Sequence, residues 1–199
     1  EITALAGASE EEHNSARALG VKTHVVPMAR YPHLLRDISC LFKLWMVFRR
    51  ERFDVIQVST PKASLLGIIA ARLAGSRGIM YLVRGRAYEC KPSMLRWIYS
   101  RLDSLCCTLA DMVVPVSASL RDQLVREGIC HPGKLRLVAA GSSQGVDATA
   151  YSPSLARLKA ADEIRTSLQL SVHSQLVLFV GWVRREKGVI ELVEAIRTL

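Results

Sequence analysis

The pattern of hydrophobic and polar positions alternates between two periods along the chain. Short apolar runs predict strands at 2–5, 21–26, 54–58, 79–83, 112–116 and 135–139. Between them, apolar residues recur every three or four positions, which is typical of amphipathic helices; these are predicted at 9–19, 34–50, 62–74, from Ser93 onwards and from Ser117 to Gly128. Strands that alternate with helices in this way indicate a parallel sheet covered on both faces. We therefore predict that residues 1–140 form one α/β domain with a doubly wound, Rossmann-like parallel sheet.

Three details of this pattern make specific predictions. Ser93 and Ser117 each stand where a hydroxyl would cap the following helix. In the helix at 34–50, Leu34, Ile38 and Phe48 belong to an apolar stripe that we expect to be buried.

The composition changes after residue 140. The segment 141–145 is rich in glycine and serine, and we interpret 141–154 as an interdomain linker. A helix (155–168), a strand (175–180), a basic loop and a helix from Gly188 are predicted beyond it. Such a short segment cannot bury a core of its own. We therefore interpret 155–199 as the truncated start of a second Rossmann-like domain.

The charge of the chain is unevenly distributed. The formal net charge is +9, but residues 13–101 hold sixteen Lys/Arg and four Asp/Glu, an excess of twelve positive charges. A basic surface attracts anionic membranes, phosphorylated substrates or nucleic acid. Because the sequence contains no nucleic-acid recognition motif, we favour the first two. The expected contributors to one basic face are Lys43, Arg49, Arg50, Arg52, Arg96 and Arg101.

Several classes of protein and site are disfavoured by the sequence. No apolar run approaches the roughly 18 to 20 residues that span a bilayer. The five cysteines and five histidines show none of the paired spacings that are typical of metal sites or disulfide frameworks. We therefore expect reduced thiols, a cytoplasmic location, no metal and no cofactor.

Four segments, in order, resemble those of bacterial family 4 glycosyltransferases, which have the two-domain GT-B fold. They are TPKA at 60–63 with AARLAG at 70–75, VSASLR at 116–121, GSSQGVD at 141–147, and FVG at 179–181 with Lys187-Gly188. The resemblance extends over nearly the whole chain. It makes 1–140 the acceptor-side domain and 155–199 the beginning of the donor-binding domain.

The resemblance also implies an activity. It predicts a hexosyltransferase-like enzyme that moves a sugar from a nucleotide-sugar, expected to be a UDP-sugar, to a lipid-linked saccharide acceptor. The subgroup it most resembles works in capsule, exopolysaccharide or O-antigen synthesis. Retention of the anomeric configuration and independence from metals are further implications. The protein is then expected at the inner face of the cytoplasmic membrane, as a peripheral protein on an anionic surface.

The candidate donor-binding residues lie in the basic loop of the second segment. They are Gly181, Arg184, Arg185, Lys187 and Gly188. Several cations beside a helix N-terminus suit a pyrophosphate. In the family an arginine usually stands at the position of Trp182, and the cations of the loop could replace it. The alternative is a solvated basic turn.

The candidate acceptor-binding residues are Lys62, Arg84, Arg86 and Glu89. Arg84 stands where many relatives have a histidine; a guanidinium cannot act as a base, but it can bind phosphate in a bidentate way. For Arg84 and Arg86 the alternative is a surface salt bridge, with Glu89 as one partner. Lys62 begins a helix, where a cation is disfavoured unless an anionic group lies nearby. No residue is a convincing nucleophile or general base, so the catalytic residues are not predicted.

Two departures from the family leave other hypotheses open. Family members have a strand and a glycine-containing loop before the equivalent of Ile2, and their paired glutamates lie beyond the equivalent of residue 199. We therefore expect the segment alone to be inactive. The alternatives are an inactive truncated paralogue, a basic membrane-surface binding module, and a different enzyme, such as an epimerase, on the same scaffold.

Overall fold

The computed structural model describes residues 1–7, 9–28, 33–86, 88–89, 92–142, 145–171, 173–183 and 185–198. The chain divides into two compact units, Glu1–Gly145 and Val146–Leu199.

Parallel strands alternate with helices along the described part of the first unit, as predicted. The elements are β1 (Thr3–Ala6), α1 (Glu10–Ala18), β2 (Lys22–Val25), α2 (Leu34–Glu51), β3 (Ile56–Val58), α3 (Pro61–Leu73), β4 (Ile79–Val83), α4 (Ser93–Leu109), β5 (Met112–Pro115) and α5 (Ala118–Arg126). Every strand pairing among them is parallel. The predicted α/β class is therefore confirmed.

Local capping chemistry explains how several of these helices begin. Ser9 caps α1 in a capping box with Glu12, in which each side chain pairs with the other residue's backbone N–H. The Ser117 hydroxyl accepts the backbone N–H of Leu120, so the predicted cap of α5 is confirmed. The cap predicted at Ser93 is wrong, because Ser93 is already the first helical residue of α4.

The strands of the first unit form two sheets, so the prediction of a single sheet is wrong. One sheet pairs β1 with β2, and the other has the order β3-β4-β5. The described residues contain no strand that pairs with both β1 and β3. The strand predicted at 135–139 is reduced to a single bridge from Leu135 to Val113.

The three-stranded sheet holds the core of the first unit. Right-handed crossovers between successive parallel strands place α3 and α4 on the same face of the sheet. Both α2 and α4 pack against α3, so the three helices form one layer. Ile68 of α3, Ile79 of β4 and Val113 of β5 are fully buried between helices and sheet.

The buried stripe predicted along the helix at 34–50 is partly wrong. Phe48 is buried, together with Cys40 and Leu44, but Leu34 and Ile38 are exposed. The sequence periodicity shows which positions of α2 are apolar, but the packing of the helix determines which of them are buried in the core.

The second unit is helical in its described part. It contains α6 (Leu155–Ser167), a short 3-10 turn (Arg185–Lys187) and α7 (Val189–Arg197). The strand predicted at 175–180 is wrong, because no strand is formed there. A strand needs a neighbour to satisfy its backbone hydrogen bonds, and no described segment of this unit supplies one.

Candidate functional site

Two candidate residues and one family-like segment follow the carboxyl ends of three neighbouring strands. Lys62 follows β3, Arg84 follows β4 and Ser117 follows β5. The strands are parallel and adjacent, so these ends meet at one edge of the sheet. In open α/β sheets, ligands bind at this edge.

Gly141 brings another segment to the same edge. A side chain at position 141 would place its Cβ 2.7 Å from the Val116 carbonyl oxygen and 2.8 Å from the Ser117 Cα. Its φ of +89° is also in the region that favours glycine. The segment after β5 and the start of the predicted linker are therefore in contact, and only glycine permits this approach. The sequence shows a glycine at position 141, but it does not indicate that this residue contacts the segment after β5.

Lys62 is paired with an acidic residue from another helix. Its Nζ lies 2.6 Å from the Asp37 Oδ1, and the other Asp37 oxygen accepts the backbone N–H of His33. The pairing with Lys62, followed by the hydrogen bond from His33, lowers the pKa of Asp37 below its usual range. Asp37 is thus an anionic group beside the lysine at the start of α3. Acceptor binding by Lys62 stays a prediction.

Arg86 forms a bidentate ion pair that the sequence did not indicate. Its Nη1 and Nη2 lie 2.7 and 2.6 Å from the two carboxylate oxygens of Glu127, which follows α5. The Arg86 side chain is only 1% exposed, and Glu89 is a more distant partner at 3.7 Å. This geometry corresponds to the salt-bridge alternative for Arg86, with Glu127 as the main partner. Arg84 is exposed at the sheet edge.

Hydrogen bonds and a ring contact connect the neighbourhood of the ion pair to α4. The Arg86 Nε donates to the Tyr88 hydroxyl at 3.1 Å, and the Tyr81 hydroxyl donates to Asp103 of α4 at 3.0 Å. The Tyr88 ring also stacks on the Tyr99 ring of α4, with the ring centres 6.0 Å apart. Burial raises the pKa of Asp103 above its usual range and that of Tyr88 to about 12. The segment after β4 is therefore fixed to both α4 and α5, while Arg84 stays at its exposed end.

This network predicts an acid-sensitive stability. The hydrogen bonds from Arg86 lower the pKa of Glu127, so the ion pair stabilises the fold above the unfolded-state pKa and is lost as the pH falls through the folded-state value. We expect the stability difference between wild type and Glu127→Gln to be larger at about pH 7 than at about pH 3. Urea denaturation of both proteins at the two pH values measures it. Asp103 titrates in both proteins, so its contribution to the pH dependence of stability cancels when the two proteins are compared. An equal difference at both pH values would contradict the assignment.

The candidate donor-binding residues lie in the segment that leads into α7. Gly181, Arg185 and Lys187 are exposed, and Arg184 lies outside the described residues. Gly188 is the residue before α7 and has a φ of +73°, and this glycine has no side chain with which to cap the helix. The first-turn backbone N–H groups of α7 therefore lie directly after a pair of cations, Arg185 and Lys187.

Membrane-spanning helices and metal-binding clusters are both absent from the described residues. Within the described ranges, no helix is long and apolar enough to cross a membrane. The same ranges contain no group of three or more His, Cys, Asp or Glu side chains that could hold a metal ion.

The first unit matches a known family almost end to end. The model of the glycosyl transferase 4-like domain matches residues 1–141, more than two thirds of the chain. The chain belongs to this glycosyltransferase family. The resemblance drawn from the four sequence segments is thereby confirmed, and the segments that follow β3 and β5 lie within the matched part.

Two relatives extend the similarity into the second unit. The chain is 24% identical over 176 residues to the capsular polysaccharide biosynthesis glycosyltransferase CapM of Staphylococcus aureus, covering 88% of this chain and 45% of CapM. It is 25% identical over 183 residues to the UDP-Gal:alpha-D-GlcNAc-diphosphoundecaprenol alpha-1,3-galactosyltransferase of Escherichia coli, covering 92% of this chain and 44% of that enzyme. The chain thus spans less than half the length of these relatives.

A solved structure supports the fold. The crystal structure of Anabaena HepE in complex with UDP superposes with a TM-score of 0.60 at 16% identity, covering 84% of this chain and 42% of HepE. At this identity the likeness shows the fold alone, which is that of a GT-B glycosyltransferase.

Proposed function

We propose that the full-length protein transfers a sugar from a UDP-sugar to a lipid-linked saccharide in the synthesis of a bacterial surface polysaccharide, with retention of the anomeric configuration and without a metal. The main support is the family match over residues 1–141, together with the gathering of the candidate segments at the carboxyl edge of the parallel sheet. The CapM protein and the E. coli galactosyltransferase, to which the chain is similar over most of its length, suggest the substrate classes.

The donor's diphosphate is assigned to the start of α7. A helix N-terminus without a side-chain cap offers backbone N–H groups to an anion, and the helix dipole favours negative charge there. Arg185 and Lys187 stand in the preceding turn, which has one net positive charge because Glu186 lies between them in the sequence. These groups would stabilise the charge that develops on the departing nucleoside diphosphate, which is how a metal-free transferase can lower its barrier. Gly181 and Arg184 remain assigned to the same loop.

The acceptor is assigned to the carboxyl edge of the three-stranded sheet. Arg84 is exposed there, whereas the Arg86 guanidinium is occupied by Glu127 and Tyr88. We therefore assign phosphate binding to Arg84 and a positioning role to Arg86. Lys62 and Glu89 stay candidate contacts of the acceptor.

A peripheral location on the inner face of the cytoplasmic membrane completes the proposal. A lipid-linked acceptor is confined to the bilayer, so the enzyme must approach its surface. The excess of positive charge in residues 13–101 would hold the protein at anionic lipids.

Direct transfer by the full-length protein tests the function. The protein is incubated with a radiolabelled UDP-sugar and a polyprenyl-diphosphate-linked saccharide, and the lipid product is extracted and its new linkage is determined by NMR. Addition of one sugar, in the anomeric configuration of the donor and in the presence of EDTA, is expected. Transfer with inversion, a requirement for a metal, or no transfer to any lipid-linked saccharide would contradict the proposal.

The role of Arg84 makes a separate prediction. If its guanidinium binds the acceptor's phosphate equally in the ground and transition states, Arg84→Ala raises the acceptor KM by about tenfold and leaves kcat nearly unchanged. Steady-state transfer at varied acceptor concentration measures both constants. Arg126→Ala, which removes an exposed arginine from the far end of α5, is the matched control. A fall in kcat with no change in KM would contradict the assignment.

A further inference from the structure

Helix α2 has apolar side chains on two opposite faces. Cys40, Leu44 and Phe48 are buried against the core. Phe42 and Met46, one turn apart on the other side of the helix, are exposed, and Phe42 is 55% accessible. The outward face of a surface helix is normally polar, so this second apolar face indicates a site of interaction with a partner.

Helix α4 repeats the same arrangement. Its buried side chains include Cys106 and Cys107, while Met94 and Ile98 on the other side are exposed and Trp97 is 61% accessible. Helices α2 and α4 both pack against α3, and on each helix the exposed apolar side chains lie opposite the buried ones. We define the outer face by Phe42 and Met46 of α2 and by Met94, Trp97 and Ile98 of α4.

The charges on these two helices are cations. The exposed ones are Arg36, Lys43, Arg49, Arg50, Arg96 and Arg101. The described acidic residues of α2 and α4 are neutralised or buried, since Asp37 pairs with Lys62, Glu51 pairs with Lys22, and Asp103 is buried. The Arg101 guanidinium lies 5.4 Å from the Trp97 ring centre, so one cation stands over an aromatic residue of the outer face.

We propose that the outer face inserts into the interface of a bilayer that contains anionic phospholipid. Apolar and aromatic side chains bordered by Lys and Arg are the composition that binds at the boundary between headgroups and acyl chains. A second copy of this chain is a poorer occupant, because the exposed cations of α2 and α4 on one copy would repel those on the other. This inference rests on the proposed function, which requires a membrane-bound acceptor, and it adds an inserted apolar contact to the electrostatic attraction.

Flotation of the full-length protein with vesicles tests the proposal. The vesicles are neutral phosphatidylcholine, or phosphatidylcholine with phosphatidylglycerol. Phe42→Gln/Met46→Gln removes apolar side chains and keeps the charge, and it is expected to weaken binding to anionic vesicles by at least about tenfold. Lys43→Gln/Arg50→Gln removes two charges and is expected to weaken binding by about tenfold in low salt only. Leu19→Gln/Val25→Gln, at exposed apolar positions outside the outer face, is the control and is expected to bind like wild type.

The outcomes separate insertion from its alternatives. Unchanged flotation of Phe42→Gln/Met46→Gln, or complete release of wild type in high salt, would overturn the insertion. A wild-type protein that does not float but sediments as a dimer, with the double variant monomeric, would assign the outer face to a second copy. Transfer to a short-chain acceptor dispersed in detergent is measured in parallel and is expected to survive in the double variant. If wild type floats as expected but transfers no sugar, the proposed function is contradicted, while the proposal that the outer face binds membranes is retained.

Discussion

Replacement of Lys187 by alanine in the full-length protein is expected to lower kcat by about 10- to 1000-fold, the range for losing one strong electrostatic contact in a transition state. Lys187 stands in the turn immediately before α7, whose first N–H groups have no side-chain cap. Charge grows on the nucleoside diphosphate as the sugar leaves. A cation at this place therefore stabilises the transition state more than the bound donor, so the loss appears in kcat rather than in the donor KM.

The control for Lys187 is a lysine of the same unit that lies away from the loop. Lys159 is exposed on α6, and Lys159→Ala removes the same charge from the protein. Its kcat is expected to match that of wild type. Steady-state transfer from a radiolabelled UDP-sugar to a polyprenyl-linked acceptor measures both variants. If Lys187→Ala keeps the wild-type kcat, the basic loop is a solvated turn and the donor site is wrongly placed.

The second large effect is expected on stability. Glu127→Ala leaves the buried Arg86 guanidinium without its bidentate partner, and we expect it to lower the free energy of unfolding by about 3 kcal/mol at neutral pH. The magnitude follows from burial, since the Arg86 side chain is 1% exposed and cannot recover its hydration in the folded protein. Urea denaturation of the variant and wild type measures the difference.

A surface ion pair of the same helix provides the comparison. Arg121 and Asp122 pair in α5 with both side chains exposed, and Asp122→Ala is expected to cost at most about 1 kcal/mol. Equal losses for Asp122→Ala and Glu127→Ala would show that burial of Arg86 does not strengthen its dependence on Glu127.

The organisation of the first unit could be predicted from local pattern. The apolar runs and the three-to-four spacing placed the helices and most of the strands within a few residues, because period and capping depend on residues close in sequence. The cap at Ser117 is an example, since the hydroxyl and its partner are three residues apart. The candidate loops could be placed at one edge because parallel strands share the direction of their carboxyl ends.

Other features depended on how distant segments approach each other. The break between the two sheets, and the missing strand at 175–180, depend on whether a neighbouring strand is present to pair with. The exposure of Ile38 and Phe42 depends on which side of α2 meets the core. Periodicity does not carry this information when apolar residues occur on two faces of one helix.

The amino-acid sequence by itself thus determined the α/β class, the family and the loops in which ligand-binding residues are expected. Only the tertiary structure decided which of those residues are available. Arg84 and Arg86 are two positions apart and chemically identical, yet Arg84 is exposed and Arg86 is buried against Glu127, 41 residues away. The physical reason is that an ion pair and the burial of a guanidinium are set by the packing of α4 and α5 around the segment after β4, which no local pattern encodes.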